Sequence, residues 1–256
     1  MQDWKAHIDL EHPCWEGYRD SLGRLDDSGF PGAGALSRLL PPGQSNAAGK
    51  LIRFRSASEF PGVAYEKHIY ETGEISTREN SWHDLFNALV WCRFPHLKSA
   101  MNEVHYRCLD EEQGGRRGDQ RDALTLLDES GVIITSPNAD LLEALYERNW
   151  QAAFVQYREA WAETGVLVCG HAILEKFLQP YKSMTAHAIY LHLDKPMCLA
   201  ELDELLADTL LEGSLVRSPK DLSPLPLMGI PNWWVAGVQD SAFYDDQSVF
   251  RPPPAN

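Results

Sequence analysis

Three histidines in this chain recur at spacings that could build a site. In residues 82–105, WHDLFNALVWCRFPHLKSAMNEVH, His83 and Asn87 are four apart, and Lys98, Asn102 and His105 follow at steps of four and three. That spacing stacks side chains on one helix face. In a single straight helix the outer histidines would lie roughly 33 Å apart, too far to share a ligand. Phe94-Pro95 breaks the run, because a residue before proline disfavours helical geometry while proline suits the first turn of a new helix. A hairpin folded there sets His83 against His105 and Asn87 against Asn102. Two imidazoles and two carboxamides so gathered can bind a divalent metal or transfer protons, the amides orienting substrate. The same groups can equally satisfy one another inside a wet helix interface.

A second cluster is Gly170-His171-Ala172-Ile173-Leu174-Glu175. His171 and Glu175 share one helix face directly after a short β-branched run, an arrangement suited to metal ligation or to a base with its orienting acid. It lacks the second histidine of the two-histidine zinc signature, and a first-turn histidine beside a solvated glutamate explains it as well. Arg121 and Asp122, next to a charged loop, can line an entrance or hold a substrate carboxylate, or they form a strand-edge ion pair. Asp128 reads as a turn-initiating residue, Asp84 as a capping partner of Ser81, and His187 as a core histidine.

The elements that must position these groups follow from punctuation and period. Residues 1–60 are rich in Gly and Pro and form a loop-rich arm, with a short helix near 33–40. Residues 61–256 form a single α+β domain. In it, Ser81 opens a helix to Arg93 and Pro95 a second to about Cys108, followed by a charged glycine-containing loop over 110–120. Runs at 123–127 and 132–136 read as a β-hairpin turning through Asp128-Glu129-Ser130-Gly131. Helices are expected from Asn138, over 150–163, over 171–178 and over 198–211, and strands at 166–169 and 185–193. The fold class is therefore α+β: a helical hairpin and further helices packed on a small, mostly antiparallel sheet, with proline-rich wrapping termini.

Composition sets the outer limits. The 256 residues are 44% hydrophobic, enough for a real core, and carry a formal charge of −14, which opposes phosphate backbones and anionic lipid heads. Nucleic acid and membrane are not the expected partners; a small-molecule substrate is. Five scattered cysteines make no close pair, and no apolar stretch is long enough to span a bilayer, so a soluble, cytoplasmic protein is expected. No Walker loop, dinucleotide fingerprint or nucleophile elbow is present.

Several blocks are similar to those of a bacterial family defined as domain of unknown function 3025. They are residues 82–91, Phe94-Pro95 with Lys98 and Asn102, residues 121–125 with 128–131, Gly170-His171-Ala172 with Glu175, residues 224–231, and Phe243-Tyr244-Asp245-Asp246 with Phe250-Arg251-Pro252. The resemblance runs from about residue 51 to 254 and implies one bacterial domain; it carries no activity, cofactor or catalytic residue. From spacing alone, His83, His105, His171 and Glu175 are expected to bind a divalent metal. Asn87 and Asn102 would orient substrate, Arg121 and Asp122 line the entrance, and the reaction would be hydrolytic. The competing expectation is a non-catalytic binding or scaffold protein whose polar clusters are internal networks.

Overall fold

This computed structural model describes residues 4–60, 62–111 and 118–253. Its elements run α1 (Arg19–Gly23), α2 (Ala33–Ser37), β1 (Arg53–Ser56), α3 (Tyr65–Thr72), β2 (Glu74–Thr77), α4 (Trp82–Arg93), α5 (Pro95–Glu111) and α6 (Asp119–Ser130). The second half runs β3 (Gly131–Ser136), α7 (Ala139–Tyr146), β4 (Gly165–Val168), α8 (His171–Lys176), β5 (Thr185–His192), α9 (Leu199–Leu211) and β6 (Ser223–Pro226). The architecture is α+β.

The α4–α5 hairpin is fixed at three points. Ser81 Oγ accepts the N–H of Asp84 at 3.2 Å, which starts α4. Phe94 leaves helical geometry (φ −125°, ψ 61°) just before Pro95. The new helix is then capped from a distance: the buried Asp203 of α9 accepts the N–H groups of His96 and Leu97 at 2.8 and 2.9 Å. Asp84 does not return the Ser81 bond as a capping box would. Its carboxylate takes the backbone N–H of Arg78 at 2.6 Å and the Arg78 guanidinium at 2.6 and 3.0 Å.

A two-stranded sheet pairs β1 with β2 in parallel, and a four-stranded sheet has the order β4-β3-β5-β6. Within it β3 is antiparallel to β4 and parallel to β5, and β5 is antiparallel to β6. Strand pairing is thus mixed rather than mostly antiparallel. The parallel β3–β5 pair requires a crossover, supplied by the chain through α7, β4 and α8.

The expected 123–136 hairpin is replaced by helix α6 running directly into β3. Ala123, Leu124 and Leu127 are fully buried at helical spacing, and Asp119 and Asp122 occupy the first turn, where acids suit the helix dipole. The 150–163 segment also departs from a plain α-helix: it is a π-helical turn at Ala152–Gln156 followed by a 3₁₀ stretch at Arg158–Glu163. The expected loop over 110–120 falls partly in α5 and α6, and 112–117 lie outside the described residues.

The first sixty residues contribute Trp4, Trp15, Tyr18 and Leu22 to the same apolar cluster as α4 and β3. The two ends of the chain meet where His12 Nε2 donates to the carbonyl of Trp233 at 2.9 Å, the tautomer required because His12 Nδ1 accepts the N–H of Cys14 at 3.2 Å. Near the C-terminus, Tyr244 and Phe250 are buried against Phe154. Among the described residues no helix is long and apolar enough to cross a membrane.

Candidate functional site

Helices α4, α6 and α8 converge on a cavity of about 490 Å³, within the range of small-molecule sites. Their meeting depends on one close backbone approach. The carbonyl of Gly131, at the end of α6, accepts the N–H groups of Cys169 and Gly170 at 3.0 and 2.8 Å. A Cβ on Gly170 would lie 2.3 Å from the Gly131 nitrogen, so only glycine allows this contact. It brings the last turn of α6, with Asp128 and Glu129, against the first residue of α8, His171.

The His171 and His83 rings stand edge to face, with their Nε2 atoms 2.9 Å apart. Glu129 Oε1 is 3.9 Å from His171 Nε2. One ligand atom from each of His83, Glu129 and His171 lies within 4.8 Å of the others, a group that could hold a metal ion. Both rings are backed by carboxylates: His83 Nδ1 faces Glu175 at 3.4 Å, and His171 Nδ1 faces Asp128 at 3.7 Å.

A neutral imidazole has one N–H and one lone pair. When each Nδ1 turns its proton to its carboxylate, the two Nε2 lone pairs point at each other, and only a shared proton or a cation satisfies them. Asp128 is held in turn by the buried Lys98, whose Nζ contacts Asp128 and donates to Asn87 Oδ1 at 3.0 Å. Burial opposes ionisation of Asp128, but the adjacent Lys98 and His171 outweigh it and hold the carboxyl well below the usual range. Asn87 completes the chain by donating through Nδ2 to the Tyr65 hydroxyl at 3.0 Å.

The residues expected from sequence separate into distinct positions. His83, His171, His105, Asn87 and Arg121 line this one cavity; Asn102 and Asp122 do not. Asn102 is buried and donates to the Glu66 carbonyl at 2.8 Å and to Glu66 Oε2 at 2.7 Å. Glu175 stands behind His83, while the carboxylate nearest the paired Nε2 atoms is Glu129.

Asp128, Glu129, Tyr65 and Glu66 were missed as site residues. The first two carried a signal: read as a helix, residues 121, 125, 128 and 129 form a polar stripe beside the apolar 123, 124 and 127. Tyr65 and Glu66 lie on α3, which carried none. Glu66 lines the cavity, and burial raises its pKa despite the bond from Asn102.

The fold and site describe an α+β protein with a partly open histidine–carboxylate pocket between helices. The chain belongs to the family described as "Protein of unknown function (DUF3025)", whose model matches residues 52–253. No curated protein and no solved structure matches it.

Proposed function

We propose that this is a metal-dependent enzyme of hydrolytic type acting on a small molecule, with a divalent ion held by His83, Glu129 and His171. The observation that carries the reading is the pair of Nε2 atoms 2.9 Å apart, each ring backed by a carboxylate at Nδ1. Carboxylates behind ligating histidines fix tautomer and raise basicity in metal sites. Charge supports the same reading. Asp128, Glu129 and Glu175 against Lys98 leave two negative charges around the paired rings, which a divalent cation neutralises.

Three protein ligands leave coordination positions open, and such an ion supplies Lewis acidity and a water of lowered pKa. The chain's own groups do the rest. Lys98 keeps Asp128 ionised, Asp128 and Glu175 orient the rings, and Glu66, pushed toward its protonated form, can pass a proton to a leaving group. Five free cysteines suit a reducing compartment.

Elemental analysis of purified protein, with thermal melts before and after chelation, tests the reading. About one equivalent of metal is expected, with a melt lowered by chelator and binding abolished by His83→Ala or His171→Ala. Substoichiometric metal with an unchanged melt overturns it and leaves the histidines sharing a proton, as in a non-catalytic scaffold.

A further inference from the structure

The hydrogen-bond directions along one wall of the cavity are forced. Lys98 can only donate, so Asn87 must turn its oxygen to Lys98 Nζ at 3.0 Å and its NH₂ outward. That NH₂ donates to the Tyr65 hydroxyl at 3.0 Å, which occupies a lone pair on Tyr65 and leaves the phenol hydrogen to point elsewhere. Among the described residues no acceptor takes it. Tyr65 lines the cavity together with Arg78, close enough for their charges to interact, so a fixed O–H donor and a guanidinium group border the same space. Arg78 is oriented there by Asp84, which takes part of its charge.

Of the acids lining the same cavity, Asp84 is paired with Arg78, Asp128 with Lys98, and burial moves Glu66 toward its neutral form, which leaves Glu129, on the side of the paired histidines, as the unpaired carboxylate. Tyr65 is exposed as a residue, and desolvation of its hydroxyl, reinforced by the ionised Asp128, keeps the phenol protonated.

We propose that this wall binds an oxyanion, the carboxylate or phosphate group of a small acid, and that Tyr65 is its directed hydrogen-bond donor, aimed through the relay Lys98–Asn87–Tyr65. This names the ligand class of the hydrolytic site and rests on that reading for the reaction, though the relay itself needs no metal.

The test is calorimetric titration of the full chain with inorganic phosphate and, separately, with acetate, each on chelated protein and on protein titrated with Co²⁺. The arm that binds more tightly identifies the source of the oxyanion. Tyr65→Phe is expected to weaken binding about tenfold to a hundredfold, the range for hydrogen bonds to charged groups, with the melt lowered by only a few degrees because Asn87 Nδ2 loses its acceptor. In an Asn87→Asp background the same Tyr65→Phe step is expected to cost nothing, because the carboxylate there captures the phenol proton; this cycle isolates the relay from the added charge.

Equal affinity of wild type and Tyr65→Phe for both anions overturns the proposal, as does failure of the wild type to bind either. If Co²⁺ does not bind but Tyr65-dependent anion binding persists in chelated protein, the metal reading falls and this one stands. If Co²⁺ binds and Tyr65 makes no difference, the reverse holds.

Discussion

Replacing Gly170 with alanine probes the contact on which the whole site is assembled. The added Cβ would sit 2.3 Å from the Gly131 nitrogen and 2.6 Å from two backbone atoms of Ser130, where ordinary contact begins at 3.4 Å. None of these atoms belongs to a flexible side chain, so relief requires α6 and α8 to separate by about 1 Å. Glu129 lies one residue before Ser130 and His171 one residue after Gly170, so the shift passes directly into the 3.9 Å separation of their ligand atoms. Metal–ligand bonds tolerate only about 0.2 Å. Metal affinity is therefore expected to fall by about tenfold to a hundredfold, comparable to loss of a ligand-orienting partner.

The accompanying strain, roughly 1–3 kcal/mol, lowers Tm by about 2–12 °C for a chain of this size. Gly23→Ala is the control: a Cβ there meets nothing within 4 Å, so metal affinity is expected to be unchanged and stability to rise slightly, by about 0.4–1 kcal/mol. The assay is calorimetric Zn²⁺ titration beside a thermal melt. Metal affinity within threefold of wild type together with an unchanged Tm would refute the claim that this backbone contact sets the ligand geometry.

Lys98→Met leaves the Asp128 carboxylate without its buried cation and is expected to cost about 3–5 kcal/mol in urea unfolding, whereas Lys98→Met with Asp128→Asn should recover much of that loss. Chelated protein should also lose stability in acid. Burial lowers the pKa of both His12 and His187 below the ordinary 6.5, so their contribution is complete above about pH 6.5 and declines as pH falls through that value toward the folded-state pKa values. His187→Gln should flatten part of the slope of urea midpoint against pH between 7.5 and 5; an unaltered slope counts against it.

Local signals made much of the scaffold legible. Ser81, Phe94-Pro95 and Asn138 mark helix boundaries through cap chemistry and proline sterics, which act over a few residues, and the structure has those boundaries. The strand expected at 185–193 from alternation and the helix at 198–211 from leucine spacing each match the structure to within one residue. The 123–136 segment was misread because Asp128-Glu129-Ser130-Gly131 has turn composition, while the burial that makes 123–127 helical comes from neighbours distant in sequence. That error hid Glu129 and gave Asp128 a turn role. Polar residues of α4 and the 171–175 corner were recognisable as candidates from spacing, but their pairing was not. His83 meets His171, 88 positions away, through a Gly131–Gly170 approach that no periodicity encodes. Asn87 was legible as a polar residue on the right face, yet its partner Tyr65 sits on a helix without any motif.

In the proposed site His83, Glu129 and His171 surround one divalent cation. Anomalous diffraction at the zinc edge from crystals of the full chain grown with saturating Zn²⁺ tests it most directly. One strong peak is expected about 2.0–2.2 Å from both Nε2 atoms and a Glu129 oxygen, lost in His171→Ala. No peak there, with the two rings still 2.9 Å apart, would contradict it.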